Sequence, residues 1–251
     1  MFRKVHSFLI LPLLDLIFPP VCLTCDKRLP ERSAQICGEC RDSLTQVGAG
    51  HPVLREILAR FEAGGCVSDV TSCFLFEKSG IMKDIIYHLK YGGMTLIGIE
   101  LGKMLGRKIL DDERLDPLAV LVPVPLHRLR CRDRGYNQSE SICLGVASIT
   151  GTAVMNDLLI RKSNTRSQTK LTLEERRENV REAFALNEKC GRDVRGAAVI
   201  LVDDVITTGS TIEACARTLL AAGAARVSAA SIALAEQKNA APSPSASHAP
   251  M

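Results

Sequence analysis

Residues 199–211 read Val-Ile-Leu-Val-Asp-Asp-Val-Ile-Thr-Thr-Gly-Ser-Thr. Four consecutive apolar residues suit a strand buried on both faces of a parallel sheet. Two carboxylates stand at its C-terminal end, and small hydroxyl residues around a glycine then open a helix. Ligands of open α/β sheets bind at that edge. Gly209 lets a ligand approach the backbone closely, and the N–H groups of Thr208 to Thr211 with the helix dipole suit a dianionic phosphate. The hydroxyls of Thr207, Thr208, Ser210 and Thr211 add donors. No lysine follows the glycine, so a P-loop is excluded. A strand end beside a capped helix is the bland alternative.

Asp203 and Asp204 lie too near that phosphate unless they face something else, such as sugar hydroxyls or a metal-bound water. A ribose 5-phosphate meets both demands. A second apolar run, Ala119 to Val124, predicts another buried strand. It leads into Pro123-Val124-Pro125-Leu126-His127-Arg128-Leu129-Arg130-Cys131-Arg132-Asp133-Arg134-Gly135-Tyr136-Asn137-Gln138-Ser139. Pro123 and Pro125 fix the turn, and Arg128, Arg130, Arg132 and Arg134 alternate along what reads as a loop. Guanidinium forks suit a diphosphate or a nucleic-acid backbone. A solvated basic loop is the plain alternative.

Between these segments the pattern alternates strand and helix. Cys73–Phe76 reads as a strand, Ile81–Tyr91 as a helix with Ile81, Ile85 and Leu89 on one face, and Leu96–Leu110 as a second helix. Helix is expected over 138–149, strand over 153–160 and 199–202, helix over 210–222, and strand over 226–234. A βαβ alternation predicts a Rossmann-like parallel sheet with helices on both faces. Residues 71–235 form this domain, 46–70 read as a linker, and 236–251 as a disordered tail. The charged stretch 163–184 is either an exposed helix laced with ion pairs or a lid that excludes water from the reacting centre, carried by Arg166, Gln168, Lys170, Arg176, Arg177 and Arg181.

Residues 1–45 form a small module. Cys22-x2-Cys25 and Cys37-x2-Cys40 supply four thiolates in two tight turns. Tetrahedral zinc needs that arrangement, and a closed four-thiolate set makes the metal structural; an iron–sulfur cluster or unrelated thiols are the alternatives. Cys66, Cys73, Cys131, Cys143, Cys190 and Cys215 lack ligand spacing and read as core or surface residues. The apolar run 8–18 is interrupted by Pro12 and Asp15 and is too short to span a bilayer. It reads as a helix packed on the body, with a peripheral contact at the inner membrane as the alternative.

Thirty-two basic against 28 acidic side chains give a net charge of +4, too little for a dedicated nucleic-acid coat protein. With no Trp, three Tyr and seven Phe, a surface stacking many bases is not expected, so nucleic acid would be held through phosphates. The cysteine usage is that of a reduced, cytoplasmic protein.

Two cysteine pairs, then PVPLHRLRCRDRGYNQS, TRSQTKLTLEERRENVREAF and VILVDDVITTGST, together resemble the ComF/GntX-like family, with the phosphoribosyl-pyrophosphate (PRPP) signature of type I phosphoribosyltransferases in the last. Tyr136 stands where the family usually has Phe. The resemblance implies Asp203 and Asp204 on the ribose hydroxyls, Thr207 to Thr211 around the 5-phosphate, PRPP bound with Mg²⁺, and a structural zinc on the four cysteines. It also implies a role in DNA uptake. The functional expectation is Mg²⁺-dependent transfer of ribose 5-phosphate from PRPP to an unknown acceptor, linked to that role. The alternative is a non-catalytic binder of single-stranded DNA or sensor of PRPP, docked on the uptake machinery. The oligomeric state is not legible.

Overall fold

The computed structural model describes residues 18–31, 34–116, 118–162, 183–190 and 193–236. The apolar N-terminal run before Phe18, the lid segment 163–182 and the tail beyond Glu236 lie outside them. In chain order the elements are α1 (Gly38–Asp42), α2 (Pro52–Gly64), β1 (Val70–Phe76), α3 (Ile81–Tyr91), α4 (Thr95–Leu110), β2 (Val120–Pro123), α5 (Arg128–Arg134), α6 (Gln138–Thr150), β3 (Leu159–Arg161), β4 (Phe184–Leu186), β5 (Ala198–Ile206), α7 (Ser210–Ala221) and β6 (Arg226–Ala235).

Four strands form one parallel sheet in the order β1-β6-β5-β2, and β3 and β4 pair as a separate antiparallel ribbon. Side chains alternate across a strand, and β5 shows the consequence. Val199 and Leu201 join a core with α2, α7 and the β3–β4 ribbon, while Ile200 and Val202 join another with α3, α4, α6 and the cysteine module. The expected sheet with helices on both faces is therefore present.

Three expectations change. Residues 46–70 are not a linker: α2 occupies most of them and buries Val53, Leu54, Ile57 and Phe61 in the main core. Those side chains sit at helical spacing, so one face of α2 is apolar. The strand expected over 153–160 is reduced to a parallel bridge between Val154 and Leu121, followed by the short β3. The cysteine module is integrated rather than appended. Val47 N donates to Cys73 O (2.9 Å) and Leu75 N to Thr45 O (2.8 Å), which covers the outer edge of β1. Leu29, Ile36 and Leu44 pack into the α3–α4 core, and Gln35 N donates to a Glu100 carboxylate oxygen at 2.6 Å.

Helices α4 and α6 cross at very short range. Gly98, Gly102 and Gly106 repeat every four residues on one face of α4 and meet Ser141, Ile142, Gly145 and Val146 on α6. A Cβ on Gly102 would stand 2.2 Å from the Ile142 carbonyl oxygen, and one on Gly145 would stand 2.2 Å from that of Ile99. The backbones touch, and only glycine fits.

Candidate functional site

The cleft forms where the sheet splits. β2 pairs with β5 only as far as Pro123 opposite Val202, closed by a last bond from Val124 N to Val202 O (2.9 Å). Beyond it Pro125 has no N–H to extend the ladder, the chain turns away into α5, and β5 continues alone on that side to Ile206. Asp203 and Asp204 stand on this stretch, paired with β6 but open on the β2 side. The opening holds about 150 Å³ and is lined by Lys90, Val124 to Leu126, Arg130, Arg134, Asn137 to Ser139, Arg161, both aspartates and Thr211. A wider recess of about 580 Å³ adjoins it, lined by Lys90, Tyr91, Gly92, Gly93, Arg130, Asp133 and Arg134.

Neighbouring strand residues point in opposite directions, so the two carboxylates find different partners. Asp204 pairs with Lys90 Nζ at 2.9 Å, and its other oxygen accepts Val205 N at 2.7 Å. Asp203 accepts the Asp204 N–H at 2.9 Å and the Ser139 hydroxyl at 3.3 Å. Burial, and then the adjacent Asp204 charge, push the Asp203 carboxyl up to about 7, against the pull of its own hydrogen bonds and Lys90. Its folded pKa is therefore raised, so its contribution to stability is complete at low pH and is lost as pH rises toward 7. Asp203→Asn should accordingly be more stable than the wild type at pH 8, by on the order of 2 kcal/mol, with the gap closing toward about pH 4. Urea denaturation of both proteins across that range checks it; a constant or reversed gap contradicts the burial.

The segment expected as a basic loop is a helix. His127 caps α5 through Nδ1, which accepts Leu129 N at 3.3 Å, and Gly135 ends it at φ 80°. At 3.6 residues per turn, side chains four apart share a face. Arg130 and Arg134 therefore line both cavities, whereas Arg128 and Arg132 line neither. Arg134 donates to Gln138 Oε1 (3.0 Å) and lies 5.2 Å from the Tyr91 ring centre. Tyr136, the departure from the usual Phe, donates its hydroxyl to the Leu89 carbonyl and so ties α3 to this segment. Asn137 caps α6, accepting Ser139 N, and donates to Val124 O at 3.1 Å.

Thr207 to Thr211 form the turn into α7 as expected. Gly209 sits at φ 78°, and the Thr208 and Ser210 hydroxyls are 2.9 Å apart at the exposed rim. The reason for the glycine differs from the expected one. A Cβ there would stand 2.5 Å from the Phe61 ring, so α2 presses on the turn from inside while positive φ disfavours other residues.

Lys90, Arg161, Gln138 and Ser139 were not singled out from sequence. Arg161 reaches the cleft from β3, 5.4 Å from the Phe184 ring centre. Burial, and then Arg130, hold its guanidinium below the ordinary arginine range, while Asp203 opposes this. Gln138 is 3% exposed, and its side-chain nitrogen has no hydrogen-bond partner. Nothing in the local sequence marks Lys90 or Arg161, because distant elements deliver them.

In the N-terminal module, the Sγ atoms of Cys22, Cys25, Cys37 and Cys40 all lie within 4.8 Å of one another. Cys25 and Cys37 Sγ are 3.6 Å apart, near the roughly 3.8 Å edge that a tetrahedron with Zn–S of about 2.3 Å requires. Cys37 N and Cys40 N point at Cys22 and Cys37 sulfurs (3.3 and 3.4 Å), the amide bonds that steady thiolate ligands. The donor set fits structural zinc. Of the other cysteines, Cys66, Cys73, Cys143 and Cys215 are buried, and Cys131 and Cys190 are partly so. No helix among the described residues is long and apolar enough to cross a membrane.

Comparison with known proteins agrees with this anatomy. A phosphoribosyl transferase domain model matches residues 146–249, and a double zinc ribbon model matches 13–52. Within 13–52 stand four cysteines and one histidine, His51, which caps α2, so the segment holds ligands for one four-thiolate site. The chain is 28% identical to DNA utilization protein YhgH of Salmonella typhi, over 82% of this chain and 87% of that one. Competence protein F of Haemophilus influenzae matches at 28% over 76% and 80%, and competence protein ComFC of Bacillus subtilis at 27% over 82% and 80%. With a segment that matches the double zinc ribbon model ahead of one that matches the phosphoribosyl transferase domain model, the chain is similar over 76–82% of its length to these DNA utilization and competence proteins.

Proposed function

We propose that the protein binds PRPP with Mg²⁺ in the β5 cleft and transfers ribose 5-phosphate to an acceptor, in a process that handles DNA. The observation that carries this reading is the Asp203–Asp204 pair where β5 runs on past the end of β2, between the α7 turn and the Arg130–Arg134 face of α5. The turn at Thr207 to Thr211 would take the 5-phosphate, the aspartates the ribose hydroxyls, and Arg130 and Arg134 the diphosphate. Two adjacent carboxylates at the cleft fit a bound divalent cation. Mg²⁺ would offset the charge of the departing diphosphate. The chain's part is to fix the sugar and to place cations where negative charge builds on the leaving group. No side chain in the cleft stands out as a general base for the acceptor. Residues 166–181 are proposed as the lid.

Calorimetry tests this reading. PRPP should bind with Mg²⁺ and lose at least about tenfold in affinity without it, a step of about 1.4 kcal/mol. Asp203→Asn with Asp204→Asn should abolish binding while leaving circular dichroism unchanged. No PRPP heat from the wild type with Mg²⁺ would overturn it.

A second reading, a non-catalytic binder of single-stranded DNA, is favoured by one surface. Tyr87 and Tyr91 are exposed on α3 with ring centres 5.0 Å apart, and Arg134 flanks Tyr91. Composition argued against an extensive stacking surface, yet two of the three tyrosines lie side by side at the cleft mouth. Oligonucleotide binding that weakens steeply with salt and is lost in Tyr87→Ala with Tyr91→Ala, in a protein indifferent to PRPP, would favour this reading.

A further inference from the structure

Among the described residues, Lys90 is the one side chain that both bonds a cleft aspartate and lines both cavities. It stands in the last turn of α3, where the chain runs into Gly92 and Gly93, the latter at φ 63°. Its ammonium is 2.9 Å from Asp204, with side-chain exposures of 28% and 11% for the two residues. This ion pair supplies the positive charge that two adjacent, partly buried carboxylates require. A ribose whose hydroxyls engage Asp204 competes for the same oxygen. The lysine stem is flexible, and the recess beside it is already lined by Arg130 and Arg134.

We infer that Lys90 is a placeholder cation: it neutralises Asp204 in the empty site and, when the sugar arrives, swings into the recess to bind the diphosphate. The inference rests on the PRPP reading above. It makes Lys90 a ligand-binding residue that couples the two halves of the substrate. Ribose 5-phosphate alone should release Lys90 from Asp204 without giving it a new partner, whereas diphosphate should hold it.

Acylation of Lys90 in the wild-type protein by an amine-reactive ester, read by mass spectrometry, separates these states. With Mg²⁺ present, ribose 5-phosphate should raise the Lys90 acylation rate about threefold or more, while inorganic diphosphate and PRPP should lower it at least as much. Lys90→Met should weaken diphosphate and PRPP about tenfold, the effect of one lost charge-assisted hydrogen bond, and leave ribose 5-phosphate affinity unchanged or higher. A lysine that merely holds the fold would move all three ligands together. Equal protection by all three ligands, no change with any, or a Lys90→Met protein that binds all three as the wild type does, would each overturn the placeholder. If the wild type binds none of them, the PRPP reading itself fails; if it binds PRPP but Lys90 reactivity is unmoved, only the placeholder fails.

Discussion

Replacing Gly102 with alanine will cost about 3 kcal/mol or more, and replacing it with valine will leave little soluble protein, because overpacked backbone cannot relax as a side chain would. The new Cβ would meet the Ile142 carbonyl oxygen at 2.2 Å and the Gly145 Cα at 2.9 Å, both main-chain atoms of α6. Relief requires α4 and α6 to separate along their whole contact, which also involves Gly98 over Ser141 and Gly106 over Val146. The consequence reaches the cleft. The N-terminus of α6 sets Gln138 and Ser139 against Asp203, and Tyr136, just ahead of it, ties α3 in place beside Lys90. A variant that folds should therefore lose PRPP affinity as well as stability. Gly48→Ala is the control, since nothing lies within 4 Å of its Cβ position, and it should stay within about 0.5 kcal/mol of wild type. Urea unfolding of the alanine variants decides it; similar midpoints for Gly102→Ala and Gly48→Ala would refute the packing account.

That glycine crossing shows where sequence reading stops. The spacing of 98, 102 and 106 marks one face of a helix, but its meaning depends on Gly145, which only the fold brings opposite. The same holds at the site. VILVDDVITTGST is legible because strand, carboxylates and helix start are contiguous, so local chemistry alone orders them. Lys90 and Arg161 arrive from α3 and β3, elements that the sheet topology places beside β5, and no local pattern announces either. The alternating arginines misled through periodicity: an i, i+2 pattern reads as extended chain, yet His127 and Gly135 cap it as a helix and leave only Arg130 and Arg134 facing the cavities. In residues 46–70, glycines and charges at the ends obscured the helical spacing of Val53, Leu54, Ile57 and Phe61. Phe61 is also why Gly209 must be glycine, a link between two segments that seemed unrelated.

Removing the metal from the cysteine module should unfold more than the module. The purified chain should carry about one zinc, as the single four-thiolate cluster among the described residues implies. Around that cluster the module buries little of its own, chiefly Leu29, Ile36 and Leu44 against α3 and α4. That is too small a core to hold its turns, whereas structural zinc is worth on the order of 10 kcal/mol in small domains. The module also shields the sheet: residues 45–47 bond along the outer edge of β1, and Lys108 donates to the Val47 carbonyl from α4. Stripped of zinc by a chelator, or in Cys22→Ser with Cys37→Ser, this cover should detach and expose β1 as an unprotected edge, a template for pairing between chains. The expected result is a melting temperature lower by about 10 °C or more and light scattering that rises with protein concentration. Iron in the metal analysis, or a chelated protein that melts like the wild type without aggregating, would contradict a zinc module built into the fold. Because β6 stands between β1, which the cover bonds, and β5, which carries the aspartates, PRPP binding by the surviving monomer separates the two roles: edge protection lost, ligand site retained.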